Sequence, residues 1–434
     1  MTDRQLAVME VLLTGVLYDR HRELDENDLP PAIRTALWSG DGVPRPPNPD
    51  EDALQAATGI EDPWDAVSGL MFTDRDTFSG QVNLVDEEMA EEWFLDRVEE
   101  ETLQANPVLA FAYADHEEFD LDYERARAEN RPVQADPQYI DSLLAEYFDE
   151  DDEEMLDLVE VRAPSEIEIT LDDLVLTAEQ EAEIRKVAKA IEHRSYLADI
   201  GLREIGKLLF VGPPGTGKTS TARGLAHQLD LPFVEVKLSM ITSQYLGETA
   251  KNVEKVFEVA KRLSPCILFI DEFDFVAKTR TSDEHAAIKR AVNTLLKSID
   301  EVSLIRDDVL LIGATNHPDD LDAAAWRRFD EILNFPRPDE PMRADILRLI
   351  TGELDIDGFD PEELAAETEG LTGSDLRLVL REAVLEALVE DRTTLSQEDL
   401  LDAITEFEER DHLRNLDTLE AALSDDEHDH AATH

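Results

Sequence analysis

At 434 residues the chain has room for two or three domains, and its 101 acidic against 40 basic side chains (formal net charge −61) make bare nucleic acid and anionic membranes poor partners. A single cysteine, Cys266 in an apolar stretch, excludes an internal disulfide and suits a reducing compartment. No apolar run reaches membrane-spanning length, and Met1-Thr-Asp-Arg does not open a basic-then-apolar leader, so a cytoplasmic protein is expected. The eleven lysines all fall between Lys186 and Lys297, while acidic residues crowd every region. That distribution favours a surface adapted to high salt, and hence a halophilic source, over one shaped for a cationic partner.

In chain order, residues 1–148 carry no recognisable chemistry. Helices are expected at Gln5–Leu17, Asp86–Ala105 and Pro137–Phe148, with an exposed proline-rich loop, Val43-Pro-Arg-Pro-Pro-Asn-Pro49, between the first two. Trp38, Trp64 and Trp93 imply a packed core and not a disordered tail. The acidic run Asp149 to Glu154 opens a solvated linker, 149–166.

From Ile167 the pattern becomes strand–helix alternation. Strands are expected at Leu208–Val211, Phe233–Val236, Ile267–Ile270, Val309–Ile312 and Ile332–Phe335, with amphipathic helices such as Ala250–Arg262 and Ala286–Ile299 between them. The alternation predicts an α/β fold, a parallel sheet covered on both faces, over 167–338. After Pro338 no strand is expected. Helices at Glu340–Leu354, Pro361–Thr368, Ser374–Glu390 and Ser396–Glu408, the last two capped by Ser374 and Ser396, make a small helical domain over 339–412. An acidic tail with three histidines, 413–434, reads as solvated chain rather than a metal site.

The chemistry lies in the α/β region. Gly212, Pro213, Pro214, Gly215, Thr216, Gly217, Lys218 and Thr219, followed by Ser220, form a complete phosphate-binding loop between an apolar strand and a segment of helical composition. Its glycines let successive N–H groups face one anion at a helix N-terminus; Lys218 would reach the β- and γ-phosphates, and the Thr219 hydroxyl would bind Mg²⁺. In Ile267-Leu-Phe-Ile-Asp-Glu-Phe-Asp274 the apolar strand ends in adjacent carboxylates, beside that loop if the sheet is parallel. Asp271 would hold the Mg²⁺ shell and Glu272 would deprotonate the attacking water. Asn316, closing Leu310-Leu-Ile-Gly-Ala-Thr-Asn316, offers an amide to the γ-phosphate or the water. Arg327 and Arg328 then stand as a pair suited to charge on a transferring phosphoryl group.

Together these motifs, in this order and spacing, resemble the AAA family of ATPases from Ile167 to about Glu408. The resemblance implies a five-stranded αβα P-loop domain plus a helical lid, ATP and Mg²⁺ as ligands, and a ring, usually a hexamer, with ATP between protomers. Asn316 would be the first sensor residue. Arg327 and Arg328 would be arginine fingers reaching a neighbour's ATP. Their adjacency, where many members insert Pro-Gly, is similar to the katanin and spastin branch. Leu371-Thr-Gly-Ser-Asp375 is similar to the segment where the lid helix meets the nucleotide, which implicates Gly373 and Ser374. No arginine opens that helix, so no second-sensor arginine is assigned.

Gln244-Tyr-Leu-Gly-Glu248 is similar to the pore loop of AAA translocases, in which Tyr245 and Leu246 would grip an extended polypeptide and Gly247 would turn the chain. The leading expectation is therefore an ATP-driven unfoldase or disassembly machine, with residues 1–148 recruiting the substrate. The alternative is a nucleotide-dependent switch that assembles or releases a partner without threading it. Direct docking to a proteasome is not expected. The chain ends Ala-Ala-Thr-His434 and not in a hydrophobic–Tyr–any tripeptide, and the N-terminal region lacks sustained heptads.

Overall fold

The computed structural model describes residues 2–148, 152–202, 205–238, 249–274, 286–321, 323–352 and 354–410. Tyr245, Leu246 and Gly247 and the tail 413–434 lie outside these residues. The chain divides into two compact units: Met1–Glu168 with Leu229–Val234 and Arg262–Cys266, and the remainder.

The first unit is built on the helix Thr2–Arg20, longer at both ends than its apolar pattern predicts. Val8, Met9, Leu12, Leu13, Leu17 and Tyr18 bury one flank of it in a core that also takes in Leu54, Phe94 and Leu109. Trp38, Trp64 and Trp93 pack half-buried against this core, as their number led us to expect. The single helix expected over Asp86–Ala105 is two, Glu87–Leu95 and Glu100–Gln104. The chain breaks at Glu99, whose backbone is extended, and this turns the neighbouring Val98 into the core. A hairpin of strands β1 (Thr73–Arg75) and β2 (Val82–Leu84) went unforeseen, because three-residue strands are too short to show alternation. Within the same unit, strand β3 (Val159–Arg162) lies beside β5 (Phe233–Val236), whose first two residues belong to it. Arg262 donates to the Tyr147 carbonyl (2.9 Å) and pairs with Asp152 (2.5 Å).

Among the described residues, Arg34 is the largest fully buried side chain. Its guanidinium meets the Asp136 carboxylate at 2.6 Å and donates to the carbonyls of Glu26, Leu29 and Arg131. Removing one member of such a pair strands a buried charge, at a cost of about 3–5 kcal/mol. Arg34→Ala is therefore expected to lower the urea midpoint sharply when unfolding is followed by tryptophan fluorescence. An unshifted midpoint would show that the pair does not hold this unit together.

The second unit contains strands β4 (Lys207–Val211), β6 (Cys266–Ile270, its first residue shared with the first unit), β7 (Val309–Thr315) and β8 (Glu331–Asn334). The sheet order is β3-β5-β6-β7-β4-β8. The sequence reading expects five strands; β3 is the sixth, and its Val-Glu-Val-Arg alternation is too brief to stand out beside an acidic run. β4 runs parallel to β7 (Leu208 opposite Ile312) and to β8 (Leu209 opposite Ile332). β4, β6 and β7 are buried along their whole length, which is why they read as unbroken apolar runs. Cys266 is fully buried there as a filler, and burial pushes its thiol pKa well up.

The C-terminal part of this unit has its own core, with Leu347, Leu364, Leu376, Val379 and Leu400 at its centre. It comprises the helices Glu340–Thr351, Pro361–Glu367, Gly373–Val389 and 397–410. Two differences from expectation appear. A two-residue parallel ladder joins β9 (Ile356–Asp357) to β10 (Leu395–Ser396). The cap of the third helix is Thr372 and not Ser374: Thr372 and Asp375 form a reciprocal capping box, which leaves Ser374 free to face elsewhere. Ser396 does cap, exchanging hydrogen bonds with Asp399. Among the described residues, no helix is long and apolar enough to cross a membrane.

Candidate nucleotide site

The end of β4 delivers the chain into the loop 212–217, and the helix Lys218–Gln228 leaves it. Gly212 sits at φ +153° against β8, where a Cβ would meet the Phe335 carbonyl oxygen at 2.1 Å; no side chain fits. Gly215, at φ +77°, is excluded from change by the C-terminal helices, since a Cβ would lie 2.6 Å from Thr372 Oγ1 and 3.0 Å from Ser374 Cβ. Ser374 donates its backbone N–H to the Gly215 carbonyl (3.2 Å). Helix start and loop are thus fitted to one another.

Lys218 is buried and donates its ammonium to the carbonyls of Gly212 (2.8 Å) and Pro213 (2.7 Å). Burial draws its pKa below lysine's ordinary value, and the carboxylates of Asp271 and Asp274 oppose that shift. Thr219 Oγ1 donates to Asp271 Oδ2 at 2.9 Å, so the hydroxyl and the carboxylate at the end of β6 are in one place. Glu272 follows with its backbone in the left-handed region (φ +47°), its N–H donating to Asp271 Oδ1 at 2.7 Å. A non-glycine residue pays about 1–3 kcal/mol for such a backbone. It is held there by Phe273, whose N–H bonds the Ala314 carbonyl of β7 at 2.8 Å. The carboxyl of Glu272 is thereby left exposed next to Asp271.

A cavity of about 550 Å³ opens on these groups. Pro214, Gly215, Thr216, Gly217, Lys218, Thr219, Ser220, Asp271, Asn316, Gly373 and Ser374 all line it. Gly212, Pro213, Glu272, Arg327 and Arg328 do not. Arg328 is tied to its own chain: it donates to the Leu296 carbonyl (3.0 Å) and to that of Ala324, and pairs with Asp300 (3.0 Å). Arg327 is exposed, and its side chain has no hydrogen bond or ion pair among the described residues.

The apolar lining of the cavity carries no motif in the sequence. Leu174, Val175, Leu176, Pro336, Met342, Ile346, Leu349 and Ile350 give the cavity its apolar lining. The last four repeat at helical spacing on Glu340–Thr351, while Ala344, Leu347 and Thr351 face the C-terminal core. A helix apolar on two faces was the available signal. Arg377, one turn into Gly373–Val389, also lines the cavity, with only Lys218 as a second cation among the lining residues. The absence of an arginine at the first positions of that helix had left it without a role.

The residues fit a magnesium nucleoside triphosphate. A loop of left-handed glycines and a buried lysine faces phosphate oxygens, an apolar slot accepts a planar base, and one hydroxyl with one carboxylate oxygen is what Mg²⁺ takes from a protein when phosphates and water supply the rest.

Comparison with known proteins agrees. Residues 208–337 match the profile of the ATPase family associated with various cellular activities (AAA), and residues 358–402 that of the AAA+ lid domain. The "uncharacterized AAA family ATPase y4kL" of Sinorhizobium fredii is 40% identical over 228 residues, 52% of this chain and 68% of that protein. Proteasome-activating nucleotidases of Methanococcus maripaludis and Pyrococcus horikoshii are 36% and 37% identical over 245 and 242 residues, 55% and 54% of this chain. The chain spans only 60% of the length of each nucleotidase. With the loop, Asp271 and the start of the helix Gly373–Val389 lining one cavity, both profiles matched and a relative 40% identical over 68% of its length, the chain belongs to the AAA family of ATPases.

Proposed function

We propose that this ATPase assembles into a ring in which each protomer completes its neighbour's site and the ring remodels protein substrates through its centre. One observation carries the reading. The cavity contains the phosphate loop, Asp271 and Asn316, yet neither arginine of the pair lines it, and Arg327 stands exposed without a partner among the described residues. Charge developing on the γ-phosphoryl group would then be met by a second chain. Arg327 is the finger in this reading and Arg328 its brace, an arrangement in keeping with the katanin- and spastin-like adjacency.

In the reaction, Lys218 and the loop amides orient the phosphates, Thr219 and Asp271 hold the magnesium shell, and Glu272 accepts a proton from the attacking water at its carboxylate. Asn316 positions that water or the γ-phosphate. Residues 1–148 recruit the substrate, and Tyr245 and Leu246, turned by Gly247, grip it. The relatives named as proteasome-activating nucleotidases support a protein substrate, although the similarity covers little more than half of this chain. The acidic surface supports an origin in high salt, so assembly belongs in concentrated KCl.

Tyr245→Ala tests the threading step. It is expected to hydrolyse ATP and form ATP-dependent rings like the unaltered protein, yet fail to unfold a tagged fluorescent protein. Normal unfolding by that variant would remove the pore from the account. A stable monomer that turns over slowly and unfolds nothing would favour a nucleotide-dependent switch instead.

A further inference from the structure

The polar residues just behind the cavity form a network that no role above uses. Thr315, the last residue of β7, is fully buried, and its hydroxyl donates to Asp274 Oδ1 at 3.0 Å. Asp274 is itself buried, three residues beyond Asp271. The same hydroxyl accepts the backbone N–H of His317 at 3.0 Å. The Thr315 carbonyl accepts the N–H of Gly212 at 3.2 Å. Asn316 lies between the two residues so anchored.

We propose that Thr315 and Asp274 are positioning residues for Asn316. The hydroxyl is used twice: as a donor it fastens the end of β7 to the segment that follows β6, and as an acceptor it closes the backbone turn around Asn316. The carbonyl fixes the same point to the first glycine of the phosphate loop. The three segments that carry the loop, the carboxylates and the amide therefore meet at one buried residue, Thr315, whose hydroxyl joins the last two and whose carbonyl joins the first. Burial strengthens the link, because a hydrogen bond between two groups withdrawn from solvent is costly to break. Displacing a reacting group by about 1 Å costs on the order of 10²-fold in rate, whereas nucleotide affinity rests on loop and slot contacts that this link does not make.

This inference depends on Asn316 acting at the phosphates, and the test separates the two. In the full-length protein, Thr315→Val removes donor and acceptor with little change in shape, Thr315→Ser keeps both, and Asp274→Asn keeps an acceptor oxygen. Turnover is measured by phosphate release and affinity by titration with a fluorescent ATP analogue. Thr315→Val is expected to lose about 10²-fold in kcat with affinity changed less than about threefold. Thr315→Ser and Asp274→Asn should stay within about tenfold of the unaltered kcat, since each keeps the link. The inference is overturned if Thr315→Val turns over normally, if kcat and affinity fall together, or if Thr315→Ser fails to restore the rate. Should Asn316→Ala be fully active, the reading of Asn316 itself fails; should it be impaired while Thr315→Val is normal, only the link fails.

Discussion

Glu272→Gln is expected to bind ATP as tightly as the unaltered protein and to lose about 10²–10⁴-fold in turnover, the usual contribution of a positioned general base. The substitution is nearly isosteric. It leaves the backbone N–H of residue 272 bonded to Asp271 and leaves the Thr219–Asp271 pair untouched, so the groups proposed to hold phosphate and magnesium stay in place. What it removes is the carboxylate that the left-handed backbone at φ +47° holds out beside Asp271. Phosphate release under saturating ATP, with binding measured separately, distinguishes the two effects. Turnover within about threefold of normal would mean that another group takes the proton. The same variant, retaining ATP without cleaving it, is the natural trap for bound substrates.

How much of this was legible in the sequence depended on whether a feature is written in contiguous residues. β4, β6 and β7 are buried on both faces and so appear as unbroken apolar runs. Asp271 and Asn316 are visible because each is a polar residue where such a run stops. The apolar lining of the cavity could not be seen the same way. Leu174–Leu176, Pro336, Met342, Ile346, Leu349 and Ile350 are ordinary apolar residues from separate segments, brought together only by the fold. Nothing in the sequence sets Thr315 or Asp274 apart from its neighbours, because the hydrogen bond between the end of β7 and the residues after β6 is a tertiary contact. The sixth strand and the hairpin β1–β2 were hidden by brevity, and the break at Glu99 by an acidic composition that suits a helix on either side. Ser374 was mistaken for a cap because Thr372, two residues earlier, is an equally good one, and only Asp375 decides between them.

The arginine pair shows the same limit. Side by side, Arg327 and Arg328 are indistinguishable in sequence, and their difference is tertiary. Arg328 is caught by the Leu296 carbonyl and Asp300 on the helix Ala286–Glu301, while the Arg327 side chain has no hydrogen bond or ion pair among the described residues. Arg327→Ala should therefore leave thermal stability unchanged and reduce kcat by about 10³–10⁵-fold, the range for an arginine finger. Arg328→Ala should do the reverse in emphasis, lowering the melting temperature with a smaller loss of turnover. Equal losses of turnover with unchanged melting in both would contradict the division of roles.

The claim that a site is shared between two chains has one direct test. Arg327→Ala and Glu272→Gln are each expected to be nearly inactive alone, for different reasons. Mixed and reassembled in high KCl with ATP, they form some junctions in which a protomer with Glu272 meets a neighbour with Arg327. The account predicts that such mixtures hydrolyse ATP at a rate neither variant reaches alone. Mixtures that co-assemble yet stay as inactive as their components would show that each chain supplies its own arginine.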